Sequence, residues 1–317
     1  MRGWWRDLTD LVLPAECGGC GRPRAVLCAE CRAALTGAAP SRVRPVPEPA
    51  GLPAVHAAAP YTDEVRAVLL AHKERGALAL AAPLGAALAG AVRAALETAR
   101  RPGPAGRPVA SQGRLRRGRG EAGCEGEWPE HEGEGVRGAR PGDRAVLLVP
   151  VPSARRAVRA RGHDPARRIA LAAAGELRRT GTPARVLGVL RQRRAVADQS
   201  GLNSRQRSDN LAGALEVVGG GARLLAGGGP VVLVDDLMTT GASLTEAARA
   251  VHEAQAAAEG VCAARERPER LELPERPELP EVDGRIVGRG QARGTRGDTV
   301  CSAVVAAPPD AFEINRN

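Results

Sequence analysis

The residues with the clearest capacity for chemistry form one run, Val231-Val232-Leu233-Val234-Asp235-Asp236-Leu237-Met238-Thr239-Thr240-Gly241-Ala242-Ser243. Its branched apolar start predicts a strand buried on both faces, and the residues after it predict an amphipathic helix. Hydroxyl side chains, a glycine and the free N–H groups of a helix start favour an anion. The two carboxylates before them suit ribose hydroxyls or a magnesium ion. A sugar that carries a 5′-phosphate would satisfy both halves of this run.

The run resembles, at every position, the phosphoribosyl pyrophosphate motif of type I phosphoribosyltransferases. The resemblance implies that Asp235 and Asp236 face the ribose hydroxyls. It further implies a set of residues that hold the 5′-phosphate, namely Thr239, Thr240, Gly241 and Ser243. The alternative is a strand that ends in a solvated acidic turn before an ordinary helix. The expected order of strand, loop and helix favours the phosphoribosyl site.

A second group of reactive side chains is a cysteine array near the N-terminus. Cys17 and Cys20 form one C-x2-C pair, and Cys28 and Cys31 form another. Four sulfurs satisfy a tetrahedral Zn²⁺ and leave no open position, so the sequence predicts a structural zinc site. Iron in a rubredoxin-like site fits the same ligands. Disulfides or a thioredoxin-like redox pair are the competing interpretations, and a cytosolic chain disfavours the first.

Cysteine pairs that precede a phosphoribosyltransferase motif resemble the ComF family, which is associated with bacterial competence for DNA uptake. Further similar elements are Tyr61, Leu70–Gly76, Val149–Pro152, Arg161-Gly162, Gln199, Arg207 and Asn210. The resemblance covers about residues 10–100, 145–262 and 300–317. The chain departs from the family at His163, Asp164 and Pro165, where an aromatic, an asparagine and a glutamine are usual, and at Leu215, where an aromatic is common.

Phosphoribosyl transfer needs magnesium and cationic side chains around the departing diphosphate. The candidates are Lys73, which is the only lysine of the chain, Arg161, Arg205 and Arg207. For each of them, the alternative is an ordinary charge on the surface. His163 has no identifiable carboxylate partner, so we expect a turn residue rather than a general base.

The elements that must position these residues alternate between strands and helices. Strands are expected at Ala145–Val149, Val186–Leu190, Val231–Val234 and Val300–Ala306. Between them, Leu52 to about Arg101 is expected to be helical, a further helix directs Ile169, Ala172 and Ala173 inward, and Asp198–Asn210 is expected to be a mobile loop that closes over the site. This order predicts an α/β fold with a mainly parallel sheet flanked by helices, as in type I phosphoribosyltransferases.

Two stretches interrupt this pattern. Residues 101–144 and about 265–298 are rich in charge, glycine or proline, and we expect both to be disordered insertions. The predicted organisation is a zinc module at 1–36, a helical segment at 50–100 and a phosphoribosyltransferase-like domain at 145–317. Gly260–Ala264 partly resembles the last strand and competes with it for the sheet edge, but the later segment is longer.

Composition limits the function classes. Aromatic residues form only 2% of the chain, so the core must consist of Ala, Val and Leu. We expect no membrane span and a cytoplasmic location. The first functional hypothesis is a magnesium-dependent phosphoribosyltransferase. The second is a non-catalytic phosphosugar sensor or DNA-uptake accessory protein whose net charge of +10 attracts DNA or a protein partner. The third hypothesis is a decayed copy of such a protein, whose composition has drifted. A homodimer is one possible assembly of the chain.

Overall fold

The structure is a computed structural model that describes residues 16–100, 144–194, 204–226, 229–265 and 300–312. The expected insertions at 101–144 and 265–298 lie outside the described residues, apart from residues 144 and 265 at their edges. The predicted disorder of these two insertions therefore stays a prediction.

Helices and strands alternate along most of the described chain. The helices are α1 (Ala29–Thr36), α2 (Asp63–Lys73), α3 (Ala81–Arg100), α4 (Arg155–Arg161), α5 (Pro165–Arg179), α6 (Ser204–Leu211), α7 (Gly221–Ala226) and α8 (Ala242–Arg265). The strands are β1 (Ser41–Val43), β2 (Val55–Pro60), β3 (Val146–Pro150), β4 (Ala184–Val186), β5 (Leu190–Gln192), β6 (Leu215–Val217), β7 (Val231–Leu237) and β8 (Cys301–Ala307).

Six strands form the main sheet, in the order β1-β2-β8-β7-β3-β4. All neighbours are parallel except β1, which runs antiparallel to β2 at one edge. Strands β5 and β6 form a separate antiparallel pair. The predicted α/β fold with a mainly parallel sheet flanked by helices is therefore confirmed.

Both faces of the main sheet are apolar and buried. In β7, Val232 and Val234 point to the face covered by α3 and α5, whereas Val231 and Leu233 point to the face covered by α8. Side chains of a strand alternate between the two faces, so a run of branched residues buries both of them at once. The helix after β7, α8, is amphipathic as expected, and Leu244, Ala248 and Val251 on one of its faces are all buried.

Helices α3 and α5 pack closely because one position carries no side chain. A Cβ atom on Gly85 would lie 2.5 Å from the Cβ of Ala172 and 2.8 Å from its backbone carbonyl carbon. The segment Leu78–Arg100, which includes α3, is long and apolar enough to cross a membrane, but 56% of its most apolar window is buried in the fold. A core helix of this kind passes the same length and composition test, so the segment is only weak evidence for a membrane span.

Two sequence expectations about secondary structure were wrong. The stretch expected to be helical from Leu52 contains strand β2, which pairs with β8 inside the main sheet. The sequence of β2 is rich in alanine and does not alternate between apolar and polar residues. It therefore did not predict a strand, because a strand buried on both faces lacks the period-2 pattern. The expected strand Val186–Leu190 is two strands, since β4 ends at Val186 in the main sheet and β5 begins at Leu190 in the small one.

Two further expectations concern the segments around the candidate site. The expected mobile loop Asp198–Asn210 contains helix α6 from Ser204 onward, and residues 198–203 lie outside the described residues. Gly260–Ala264, the competitor for the last strand, continues helix α8, and the preferred segment near the C-terminus forms β8. Strand β8 is central, between β2 and β7, so its length and apolar character matched a buried position.

Candidate functional site

The acidic pair lies at the edge where the parallel strands end. Strand β7 carries Asp235 and Asp236 near its carboxyl end, and the register places Pro150 of β3 beside Val234 and Ala306 of β8 beside Leu237. Several strand ends and the loops that follow them therefore meet at this point. Ligands of open α/β sheets bind at this edge, because the loops there are free to vary while the strands keep them in place.

Asp236 is a buried carboxylate in direct contact with a cationic side chain. It is only 5% exposed, and its Oδ2 atom lies 2.8 Å from the Nζ atom of Lys73. Lys73 is the last residue of α2, so two elements that are distant in sequence meet through this ion pair. Burial opposes the charge of the ammonium, but the carboxylates of Asp236 and Asp235 outweigh it and raise the pKa of Lys73. Lys73 therefore remains charged at neutral pH.

Asp235 is held differently from its neighbour. Its Oδ1 atom accepts a hydrogen bond of 2.8 Å from the backbone N–H of Asp236. Burial, followed by the nearby Asp236 carboxylate, raises the pKa of Asp235 well above its ordinary value, although the Lys73 ammonium acts in the opposite direction. This carboxylate lacks a cation of its own in direct contact among the described residues. A divalent cation or a pair of hydroxyl donors would compensate its charge.

Arg161, another predicted cation, is close to the same cluster. Its positive charge opposes part of the rise in the pKa of Lys73, so the two cations lie within electrostatic range of each other. The Nη1 atom of Arg161 lies 3.6 Å from Oε1 of Glu74, the residue after Lys73. Nη1 is buried and donates no hydrogen bond within the described part of the chain. A guanidinium held in this way has donors available for an anion.

The loop after β7 forms a small cleft at the start of α8, lined by Asp235, Leu237, Met238, Thr239, Thr240, Gly241, Ala242, Ser243 and Leu244. Gly241 has φ +77°, in the left-handed region. A Cβ atom there would also lie 3.0 Å from the side chain of Leu52. Glycine is therefore required both for the turn and for the approach of the segment that follows β1. The predicted phosphate-binding residues share this one cleft.

Two predicted cations lie elsewhere. Arg205 and Arg207 belong to α6, which packs against α8. No hydrogen bond or ion pair joins either of them to Asp235 or Asp236 in the described parts of the chain. The expectation that a mobile loop carries these arginines was wrong for residues 204–210, because this polar segment forms a helix against α8.

His163 lies in the turn between α4 and α5. Its ring is buried, and each ring nitrogen lies 3.2 Å from a backbone carbonyl oxygen, one of Arg161 and one of His72. The preceding Gly162 has φ +76°, and the following Asp164 caps α5 by accepting the N–H of Arg167. These contacts agree with the predicted turn role of His163, and they connect the end of α4 with the end of α2.

Sequence reasoning missed two contributors to the site. Glu74 pairs with Arg161, and Leu52 covers the loop after β7 at Gly241. Glu74 follows the predicted Lys73 directly, so its position was a usable signal. Leu52 gave no such signal, because it is distant from Gly241 in sequence and approaches it only through the path of the chain between β1 and β2.

The four predicted metal ligands lie together. The sulfur atoms of Cys17, Cys20, Cys28 and Cys31 are all within 4.8 Å of one another. The Sγ atom of Cys17 accepts the backbone N–H of Cys28 at 3.3 Å. Burial disfavours the thiolate of Cys17, but hydrogen bonds from the backbone of Cys28, Cys20 and Gly19 outweigh this effect and lower its pKa to about 6. The predicted cysteine cluster is confirmed.

This donor set fits a metal ion. Four sulfurs within one small volume can surround a tetrahedral ion such as zinc, and no position is left for a substrate or for water. Cys31 is only 1% exposed, and burial raises the pKa of its thiol. A bound cation would offset that desolvation by stabilising the thiolate form. The cluster therefore has the chemistry of a closed, structural site.

Comparison with models of known protein families gives no match, and no curated protein is similar to this chain at a significant level. The geometry of the acidic pair, the loop after β7 and the cysteine cluster is therefore the basis for a functional interpretation.

Proposed function

We propose that this protein binds phosphoribosyl pyrophosphate with Mg²⁺ and transfers the phosphoribosyl group to a base or a related acceptor. The observation that carries the proposal is the Lys73–Asp236 ion pair beside Asp235 and a glycine-bearing loop at the carboxyl edge of a parallel sheet. The proposal includes a type I phosphoribosyltransferase fold and membership of the ComF family, on the motifs described above. It also includes a cytoplasmic location.

The residues divide between the two ends of the ligand. The 5′-phosphate would accept hydrogen bonds from the hydroxyls of Thr239, Thr240 and Ser243 and from the N–H groups at the start of α8. Asp235 and Asp236 would accept the ribose hydroxyls. The same two carboxylates are hard oxygen donors of the type that Mg²⁺ prefers, and the ion would neutralise charge on the diphosphate.

Lys73 and Arg161 would act at the diphosphate. In the transfer, the bond between the anomeric carbon and the diphosphate oxygen breaks and the acceptor atom bonds to that carbon. The electron pair leaves with diphosphate, so negative charge grows where these two cations lie. Cations held in advance stabilise such charge without reorganisation of the site. The ion pairs of Lys73 with Asp236 and of Arg161 with Glu74 hold both cations near the acidic pair before a ligand arrives.

The experiment is isothermal calorimetry of the full-length protein with phosphoribosyl pyrophosphate in the presence of Mg²⁺. We expect binding by the wild type and a loss of at least about 100-fold in affinity when both carboxylates are replaced, in Asp235→Asn/Asp236→Asn. Release of pyrophosphate on addition of individual nucleobases then tests the transfer itself. Unchanged affinity in the double variant would refute the assignment of this pair.

A matched control removes a carboxylate outside the site. Glu216→Gln breaks an exposed ion pair with Arg191 on the small β5–β6 sheet, so it changes the charge without touching the acidic pair. Its affinity for phosphoribosyl pyrophosphate should equal that of the wild type. A similar loss in the control would mean that the double variant acts through net charge rather than through ligand contacts.

A second candidate function is binding of nucleic acid or a protein partner. The observation that favours it is helix α4, in which Arg155, Arg156 and Arg159 are exposed and form no ion pair within the described residues. Arginine side chains without partners attract phosphate groups through charge and hydrogen bonds. This function is compatible with a phosphosugar site that senses rather than catalyses.

A further inference from the structure

We propose that metal occupancy of the cysteine cluster controls the position of Lys73, and thereby the affinity of the phosphosugar site. This inference rests on the proposed function. It assigns to the metal a regulatory effect on a site that contains none of its ligands. Helix α2, Asp63–Lys73, is the element that connects the two.

The cysteine cluster lies directly against α2. Gly19, between the first two cysteines, is the contact point, because a Cβ atom there would lie 2.6 Å from Sγ of Cys31 and 3.3 Å from the side chain of Val68. A metal ligand and the middle of α2 are thus separated by one glycine backbone. Gly18 makes a similar approach to Leu80, the residue that ends the turn before α3. A displacement of the cysteine loop toward these neighbours therefore requires a change at Val68 of α2 or at Leu80.

The cysteine module and α2 also share one hydrophobic core. Cys17, Cys28 and Cys31 belong to the same buried cluster as several residues of α2 and its neighbours, namely Val65, Val68, Leu69, Leu80 and Leu84. Helix α1, which begins just after Cys28, packs against both α2 and α3. A segment as short as 16–37 cannot build a core of its own. Binding energy of a structural metal is therefore folding energy for such a module.

The other end of α2 lies in the candidate site. Lys73 contacts Asp236, Glu74 contacts Arg161, and the carbonyl oxygen of His72 faces the ring of His163. Val68 precedes Lys73 by five residues, which corresponds to about 7.5 Å along a helix. A helix transmits a shift over this distance as a rigid body. Three consecutive residues at its end would then move together relative to Asp235 and Asp236.

Linkage makes the effect reciprocal. If the metal favours the arrangement of α2 that pairs Lys73 with Asp236, a ligand that uses this arrangement must in turn strengthen metal binding by the same factor. The metal-bound protein is then the form that binds phosphosugar, and loss of the metal weakens the site without removal of any residue that contacts the ligand.

The test compares the zinc-loaded full-length protein with the same protein after zinc removal by a zinc-selective chelator and addition of Mg²⁺. Affinity for phosphoribosyl pyrophosphate should fall at least about fivefold without zinc and should return when zinc is added back. Hydrogen exchange of the α2 amides supplies a readout that is independent of the ligand. We expect faster exchange across residues 63–73 in the zinc-free protein.

Two variants separate coupling from general loss of stability. Val68→Ala trims the contact with the cysteine loop but keeps all four sulfurs, so it should bind one zinc while the effect of zinc on ligand affinity shrinks. Val92→Ala is the matched control, because Val92 is equally buried in α3 and is not among the nearest neighbours of Gly18 or Gly19. The control should keep the full zinc effect.

The outcomes are distinguishable. Equal ligand affinity with and without zinc, together with unchanged exchange across α2, would overturn the coupling and leave the proposed function intact. Absence of binding to the zinc-loaded wild type would overturn the proposed function, and the coupling with it. An equal reduction of the zinc effect in Val68→Ala and Val92→Ala would show that loosened packing, rather than the contact at Gly19, accounts for the coupling.

Discussion

At the scale of single residues, the candidate site contains an electrostatic conflict. Asp235 is a half-buried carboxylate beside the buried carboxylate of Asp236, and only Asp236 contacts the Lys73 ammonium directly. Such an arrangement destabilises the ligand-free fold, because burial and like charge both oppose ionisation of Asp235. Functional sites often keep groups that would be unfavourable for folding alone, since a ligand completes their environment.

The raised pKa of Asp235 leads to a prediction about stability and pH. The folded protein binds a proton at Asp235 more tightly than the unfolded chain does, so stability falls as pH rises from the ordinary value of 3.8 through the raised pKa. The substitution Asp235→Asn removes this pH-dependent loss of stability, because the amide does not ionise. We expect the variant to melt a few degrees above the wild type at pH 7.5, with the difference vanishing near pH 4, as measured by calorimetric unfolding.

Asp310→Asn is the comparison for this prediction, because Asp310 is exposed in the turn after β8. Its melting temperature should match the wild type at both pH values. A lower melting temperature of Asp235→Asn at pH 7.5 would show that this carboxylate stabilises the ligand-free fold, contrary to the direction of its pKa.

At the scale of elements, the close pair of α3 and α5 holds one face of the sheet. Gly85 allows their contact, because its missing side chain leaves room for the backbone of Ala172. Gly175 lies in α5, one of these two helices, but a Cβ atom on Gly175 would have no neighbouring atom within 4 Å. The same substitution at these two positions should therefore have opposite effects.

We expect Gly85→Ala to reduce the free energy of unfolding by about 1–3 kcal/mol, because the added methyl group forces the helices apart. Gly175→Ala should instead increase it by up to about 1 kcal/mol, since alanine loses less backbone entropy in a helix. Urea denaturation measures both values. Equal stabilisation of the two variants would mean that the helices separate without loss of packing.

At the scale of the whole molecule, the net charge of +10 favours association of the protein with polyanions such as DNA. A positive chain with exposed arginines on α4 should bind single- or double-stranded DNA weakly at low salt. We expect this affinity to fall at least about tenfold between 50 mM and 200 mM salt, measured by fluorescence anisotropy with labelled oligonucleotides.

The variant Arg155→Gln/Arg156→Gln/Arg159→Gln tests whether α4 is the surface concerned. It should reduce both the affinity for DNA and the slope of its salt dependence. Its control is Arg22→Gln, which removes an exposed arginine that pairs with Glu30 in the cysteine module. Equal losses in the triple variant and the control, per charge removed, would indicate attraction to the whole molecule rather than to α4.

Much of the architecture could be predicted from local sequence. The run from Val231 to Ser243 defined its own strand, loop and helix, because buried strands, glycine turns and amphipathic helices each have a short-range signature. The cysteine spacing likewise predicted a cluster that the structure confirms. Strand β2 was not predicted from the sequence. Its small residues Ala57, Ala58 and Ala59 carry neither the branched side chains nor the alternation by which strands are recognised.

The sequence by itself therefore determined that the chain forms a mainly parallel sheet flanked by helices and that four cysteines form a candidate metal site, and it predicted which residues are candidates for a phosphosugar site. Only the tertiary structure decided that Lys73 meets Asp236 across a separation of 163 positions, that Leu52 covers Gly241 and that Gly19 joins Cys31 to Val68. Such contacts depend on the order of strands in the sheet and on how helices pack, which are properties of the whole chain. Local spacing carries no information about them.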